Sequence, residues 1–142
     1  MFMSDVSIIV RKMRAVAQAE LGDYNIGFPE QLVIMFLKAK GPSNQASLAE
    51  ELEIDKGSIA KTLEKLEHKG LVHREENPAS RREKRVELTP AADEILQAMR
   101  AAHKKLDTIL FNGLTDEEVE ATCHALSIIS NNLVTAEENG QL

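Results

Sequence analysis

Four cationic side chains, Arg81, Arg82, Lys84 and Arg85, fall within five positions of the stretch "ENPASRREKRVELT", residues 76–89. Groups of this kind bind anions. A guanidinium grips phosphate or carboxylate oxygens with a planar fork, and an ammonium neutralises them as a point charge. A second set precedes them at helical spacing. Opposite the apolar residues Ile59, Leu63 and Leu66 the periodicity places Ser58, Lys61, Thr62, Lys65 and Lys69, with Glu64 and Glu67 on the flank. Between Lys56 and Arg85 there are nine Lys/Arg against five Glu, a local charge of +4. The remainder holds eight basic and eighteen acidic residues, or -10, within a chain whose net charge is -6. Such a split turns one face toward a polyanion while the rest of the surface repels it.

Other chemistries find less support. There is no Gly-rich phosphate loop and no nucleophile motif, so no enzymatic activity is expected. Of His68, His73, His103 and His124, the one pairing weighed for a metal is His103 with Asp107, four residues on. That is too little for a metal, and neither a metal site nor a cofactor is expected. The single cysteine, Cys123, excludes an internal disulfide and fits a reducing compartment. Its place on an apolar stripe predicts a packed core residue. No stretch approaches the ~18 to 20 apolar residues of a membrane span. The opening "MFMSDVSIIVRKMR" lacks a basic leader before its short apolar run. A cytoplasmic protein is the expectation.

The elements that would position the basic groups follow from periodicity and punctuation. Aromatics make up only 4% of the 142 residues, so the core must rest on aliphatic side chains, a palette that favours helices. Residues 6–21 form one amphipathic helix, broken by Gly22, Gly27 and Pro29. A second, buried helix runs from Pro29 to Gly41, and "GPSN" reads as a loop. Ser47 and Glu50 suggest a capping box for a short third helix. Asp55 is placed to cap a fourth by accepting a backbone N–H near Ser58, and Gly70 to end it. "LVHRE" and "KRVEL" alternate as strands of a hairpin, with Arg81 and Arg82 at its tip. Thr89 and Pro90 begin a long helix, and Thr115 with Glu118 caps a last one.

The fold class expected is mainly α with a small β-hairpin: a winged helix-turn-helix with N- and C-terminal dimerisation helices. Residues 1–30 supply the N-terminal dimerisation helix and linker, 31–89 the winged module and 90–142 the C-terminal dimerisation helices. In such a module the second helix enters the major groove of double-stranded DNA and the hairpin lies beside it. Ser58, Lys61 and Thr62 are the candidates for base edges. Lys65 and Lys69 are candidates for phosphates, and Arg81, Arg82, Lys84 and Arg85 for the minor groove and backbone. Apolar stripes at both chain ends exceed what a lone module of ~70 residues needs, which suggests a homodimer. Its two helices would stand ~34 Å apart, one DNA turn.

The stretch from Leu48 to Thr89, "LAEELEIDKGSIAKTLEKLEHKGLVHREENPASRREKRVELT", resembles the core of the MarR family of transcriptional regulators. The flanking helices match the same pattern. The resemblance implies an obligate homodimer on a pseudo-palindromic operator, acting as a repressor. It also implies release by a small aromatic, phenolic or otherwise anionic effector, bound between the dimerisation and DNA-binding regions. Asp23 and Tyr24 lie in a loop near that region, but the ligand residues are otherwise unassigned. The sequence departs from the family at Ser80, where an aspartate typically precedes the two arginines, and at Ala92, where a glycine is frequent. A hydroxyl supplies no charge to steady an arginine, so a looser wing is expected. The alternative function is a winged-helix protein-interaction module whose basic face docks an acidic partner.

Overall fold

The computed structural model describes residues 1–142, except that the side chains of Arg81 and Arg82 lie outside the described residues. The chain begins with α1 (Phe2–Leu21), a single 3-10 turn (Gly22–Tyr24) and α2 (Phe28–Lys40). A two-residue strand β1 (Ser43–Asn44) leads directly into α3 (Gln45–Glu51) and then α4 (Lys56–His68). The hairpin of β2 (Val72–Asn77) and β3 (Ser80–Leu88) follows, then α5 (Ala92–Leu110) and α6 (Asp116–Glu138). The chain divides into two compact units, residues 1–106 and 107–142, with the boundary inside α5. Among the described residues no helix is long and apolar enough to cross a membrane.

In the first unit the core is aliphatic. Val33 and Ile34 of α2, Leu48 of α3, Ile59, Leu63 and Leu66 of α4, and Val86 of β3 are fully buried, and Ile95 and Met99 of α5 extend the same cluster. Spacings of three and four residues bring each helix's apolar side chains to one face, which is why these short helices are held by packing. The sheet is antiparallel in the order β1-β3-β2.

Several local expectations give way to competing physics. "GPSN" contains β1, which pairs Ser43 with Val86 and Asn44 with Arg85. The cap of α3 is Asn44, whose Oδ1 accepts the Ser47 amide at 2.7 Å, and not Ser47 itself. Asparagine is at least as good an N-cap as serine, and ending β1 there leaves its side chain free for the task. Thr89 does not cap α5 by its side chain: its hydroxyl donates to the Gly70 carbonyl, its amide donates to Leu71 O at 2.9 Å, and α5 opens at Ala92 after a turn. The hairpin tip is Pro78–Ala79, with Asn77 opposite Ser80. Asn77 Oδ1 accepts the Ala79 amide at 3.0 Å and closes the chain tightly. Positions 81 and 82, expected at the tip, therefore follow it within β3, and the roles assigned to their side chains fall outside the described residues. The register shifts just there, since Glu76 faces Lys84 while Asn77 faces Ser80.

The second unit contains α6. Thr115 and Glu118 form the expected capping box: Thr115 Oγ accepts the Glu118 amide at 3.2 Å and Glu118 returns a carboxylate to the Thr115 amide at 2.9 Å. Among the described residues α6 buries none in the single chain. Cys123 is therefore exposed, not packed in a core as its stripe suggested. The stripe exists, and among the described residues none of its side chains is buried in the single chain.

Candidate nucleic-acid interface

Helix α4 is set by its N-terminus. Asp55 adopts extended backbone and accepts the Ser58 amide at 2.9 Å on one oxygen and the Ser58 hydroxyl at 2.6 Å on the other. The Ser58 hydroxyl, then the Ser58 amide, holds the Asp55 carboxyl below its ordinary pKa of 3.8. Beyond the cap, Ile59, Leu63 and Leu66 turn inward, and Lys56, Ser58, Lys61, Glu64, Lys65 and His68 are exposed.

Two of the five residues placed on the outward face belong elsewhere. Thr62 is only 8% exposed and shares the inner face with Leu63. Its hydroxyl donates to the Ser58 carbonyl four residues back at 2.9 Å, so it is satisfied without reaching outward. Lys69 lies just beyond the end of α4, where its ammonium donates to Glu30 Oε2 of α2 at 2.6 Å and to the Asn25 carbonyl. Both side chains of that ion pair are largely buried, 24% and 9% exposed. Lys69 is thus ion-paired in this structure and does not stand on the exposed face of α4.

With Thr62 inside, the centre of the outer face moves to Gly57, Lys61, Glu64 and His68, so Glu64 stands on that face and not on its flank. A threonine among apolar neighbours at spacings of three, one and four was the available signal. Glu67 is engaged, pairing with Arg74 of β2 across the start of the wing. Lys84 and Arg85 of β3 are exposed.

Among the described residues, grooves flank α4, and two of them are lined by lysines. One, of about 680 Å³, opens between α4 and the α1–α2 loop and is lined by Asn25, Gly27, Lys61, Lys65 and Lys69 among others. The second, of about 290 Å³, lies where β1, α3, α4 and β3 meet, and brings Lys56 and Lys84 to one opening beside Gln45 and Glu83. Lys56 is a basic group at this face that the sequence-derived contacts omitted. Tyr24, considered as a ligand contact, donates its hydroxyl to Glu94 of α5 at 3.4 Å.

The surface is therefore a helix with a neutral-to-basic N-terminal half, a hairpin beside it and a basic cleft between them. Comparison with known proteins agrees with this geometry. Residues 29–84 match the model of the MarR family. A MarR transcriptional regulator from Methanosarcina mazei Go1 is 27% identical, with a TM-score of 0.84 over 94% of this chain and 96% of that one. The S. aureus MepR–DNA complex superposes with a TM-score of 0.84 at 20% identity, covering 93% and 98% of the two chains. Bordetella bronchiseptica BpsR, whose DNA binding is regulated by 6-hydroxynicotinic acid, gives 0.79 at 21% identity over 91% and 98%. The last two speak for the fold alone. Residues 29–84, which hold most of the winged module, are thus similar to the MarR family of transcriptional regulators, and 94% of the chain shares the fold of the 27%-identical MarR regulator.

Proposed function

We propose that this protein is a homodimeric, sequence-specific DNA-binding repressor that recognises a pseudo-palindromic operator and is released by a small anionic or phenolic ligand. The observation that carries the reading is the exposed face of α4, with Ser58, Lys61 and Lys65 uncovered beside a wing bearing Lys84 and Arg85. Ser58 and Lys61 sit in the first turns, the part of a recognition helix that meets base edges. The Ser58 hydroxyl hydrogen is committed to Asp55, so toward DNA that oxygen acts as an acceptor. Lys56, Lys65, Lys84 and Arg85 supply phosphate contacts, and Arg81 and Arg82 keep their proposed minor-groove role.

Dimerisation is supported by what each unit leaves uncovered. Helix α1 exposes Phe2, Met3, Ile8, Ile9 and Val10, and α6 exposes Leu126, Ile129 and Leu133. Apolar faces of this extent on a soluble chain mark an interface. On this reading residues 1–30 and 90–142 join two copies and residues 31–89 bind DNA. Release by ligand is supported by the groove beside α4, whose Lys61 and Lys65 also belong to the DNA face. An anion held there competes for the same charges or favours a dimer whose helices are wrongly spaced.

The test is titration of the duplex upstream of the protein's own gene through a salt series, with and without 6-hydroxynicotinic acid and other small aromatic acids. Affinity should fall linearly with salt on logarithmic axes. Undetectable binding to duplex DNA at about 50 mM salt would sink the regulator reading. Binding that no acid weakens would remove the effector from it.

A further inference from the structure

Resting on the reading that α4 enters DNA, we infer that Lys69 and Glu30 form a positioning pair that sets the recognition helix, and that Lys69 makes no phosphate contact. The Lys69 ammonium joins three segments. It follows the last residue of α4, it donates to the Glu30 carboxylate in the first turn of α2, and it donates to the Asn25 carbonyl in the loop between α1 and α2. Glu30 is itself fixed from the other side, because its Oε1 accepts the Gly27 amide at 3.3 Å. Asn25 holds a left-handed backbone, φ 53°, anchored by its amide on Gly22 O at 3.0 Å.

An ammonium already neutralised by a buried carboxylate has little charge left for DNA. Withdrawing it would leave the Glu30 side chain, only 9% exposed at the wall of the groove, without its cation, which is costly. The pair therefore stays closed when DNA binds. Its effect is exerted through the helix. Thirteen residues make α4 about 20 Å long, so a tilt of about 10° at the Lys69 end moves the Ser58 end by about 3 Å. That distance is enough to break a base contact. Two other ties hold the same end, Glu67 to Arg74 on β2 and Gly70 to Thr89, and neither reaches α2. The Lys69–Glu30 pair is the polar tie on the α2 side.

The experiment uses the full chain and a duplex that the unaltered protein selects from a randomised pool, with affinity measured across a salt series well below the melting temperature. Lys69→Met and Glu30→Gln should each weaken binding about tenfold without changing the salt slope. The double variant should be no weaker than either single one, because the two changes break one interaction. Lys69→Arg should restore most of the loss, and Lys65→Met should lower the slope by about 0.9, as one lost phosphate contact does. A slope lowered by about 0.9 in Lys69→Met, with Glu30→Gln unaffected, would place Lys69 on a phosphate and overturn the inference. Unchanged affinity in both variants overturns it as well. Should Lys69→Met not fold, Glu30→Gln decides alone: its side chain is buried and reaches no DNA, so weaker binding at unchanged slope supports the pair and unchanged binding refutes it. If the unaltered protein selects no duplex at all, the DNA-binding reading fails before any variant is compared, and the pair's role falls with it.

Discussion

Helices α4 and α6 are both amphipathic, yet they end in opposite situations. The shorter one, α4, places Ile59, Leu63 and Leu66 wholly inside and presents polar groups to solvent. The longer one, α6, has its caps in order but buries nothing, with Leu126 52% and Leu133 57% exposed. A finished helix that shows charge is a surface ready to meet a charged partner. One that shows leucine and isoleucine over several turns is half of a core. The contrast separates what one chain completes, the winged module, from the face that the proposed function gives to a second copy.

The comparison can be broken most sharply inside the module. Leu63→Ala removes a fully buried side chain from between α4 and the rest of the core, and should cost about 3 kcal/mol. Thermal or urea unfolding would reveal it, and a loss below about 1 kcal/mol would mean that the module's core is not where the contrast puts it. Next comes the α6 face. Leu133→Asp should raise the dimer dissociation constant by about a hundredfold, which sedimentation velocity would detect as monomer. A variant that remains as associated as the parent would show that α6 is simply exposed. Smaller again is Lys61→Ala, which should weaken operator binding while lowering the salt slope by up to about 0.9, depending on whether the lysine meets phosphate or base. Unaltered binding would show that the outer face of α4 stays in water.

The smallest effect belongs to the cap of α4. The Asp55 carboxyl has its pKa lowered in the folded state by the Ser58 hydroxyl and amide. A depressed carboxylate stabilises the fold above its unfolded pKa, near 3.8, and that contribution is lost as pH falls through the lower folded value. Asp55→Ala should therefore reduce the melting temperature slightly at neutral pH and make no difference once both states are protonated. An equal reduction at all pH values would assign the effect to helix propensity instead of the ionised cap.

The same boundary explains what could be read from the residues alone. Patterns closed within a few positions were legible: the stripe of Ile59, Leu63 and Leu66, the Asp55 cap, and the Thr115–Glu118 box. What escaped was decided by partners far along the chain or by small local competitions. Lys69 finds Glu30 across 39 positions, and nothing in a lysine at helical spacing announces that. Thr62 looks polar on a wheel, but a hydroxyl that bonds its own helix can be buried at little cost. The strand β1 is two residues long, too short to show alternation, and it displaces the α3 cap from Ser47 to Asn44. Cys123 and its stripe were recognisable as core-like. What covers such a stripe is not written in the stripe itself.

The tie between Thr89 and the Gly70–Leu71 segment has a consequence for how this architecture can vary. It fastens the two feet of the hairpin together, so the direction in which the chain enters α5 is settled at the base of the wing and not at its tip. Residues added or removed around Pro78–Ala79 lengthen or shorten the wing while leaving the rest of the molecule in place. The hairpin is in this sense an interchangeable tool on a fixed handle, free to be resized for a different groove without redesign of the body that carries it.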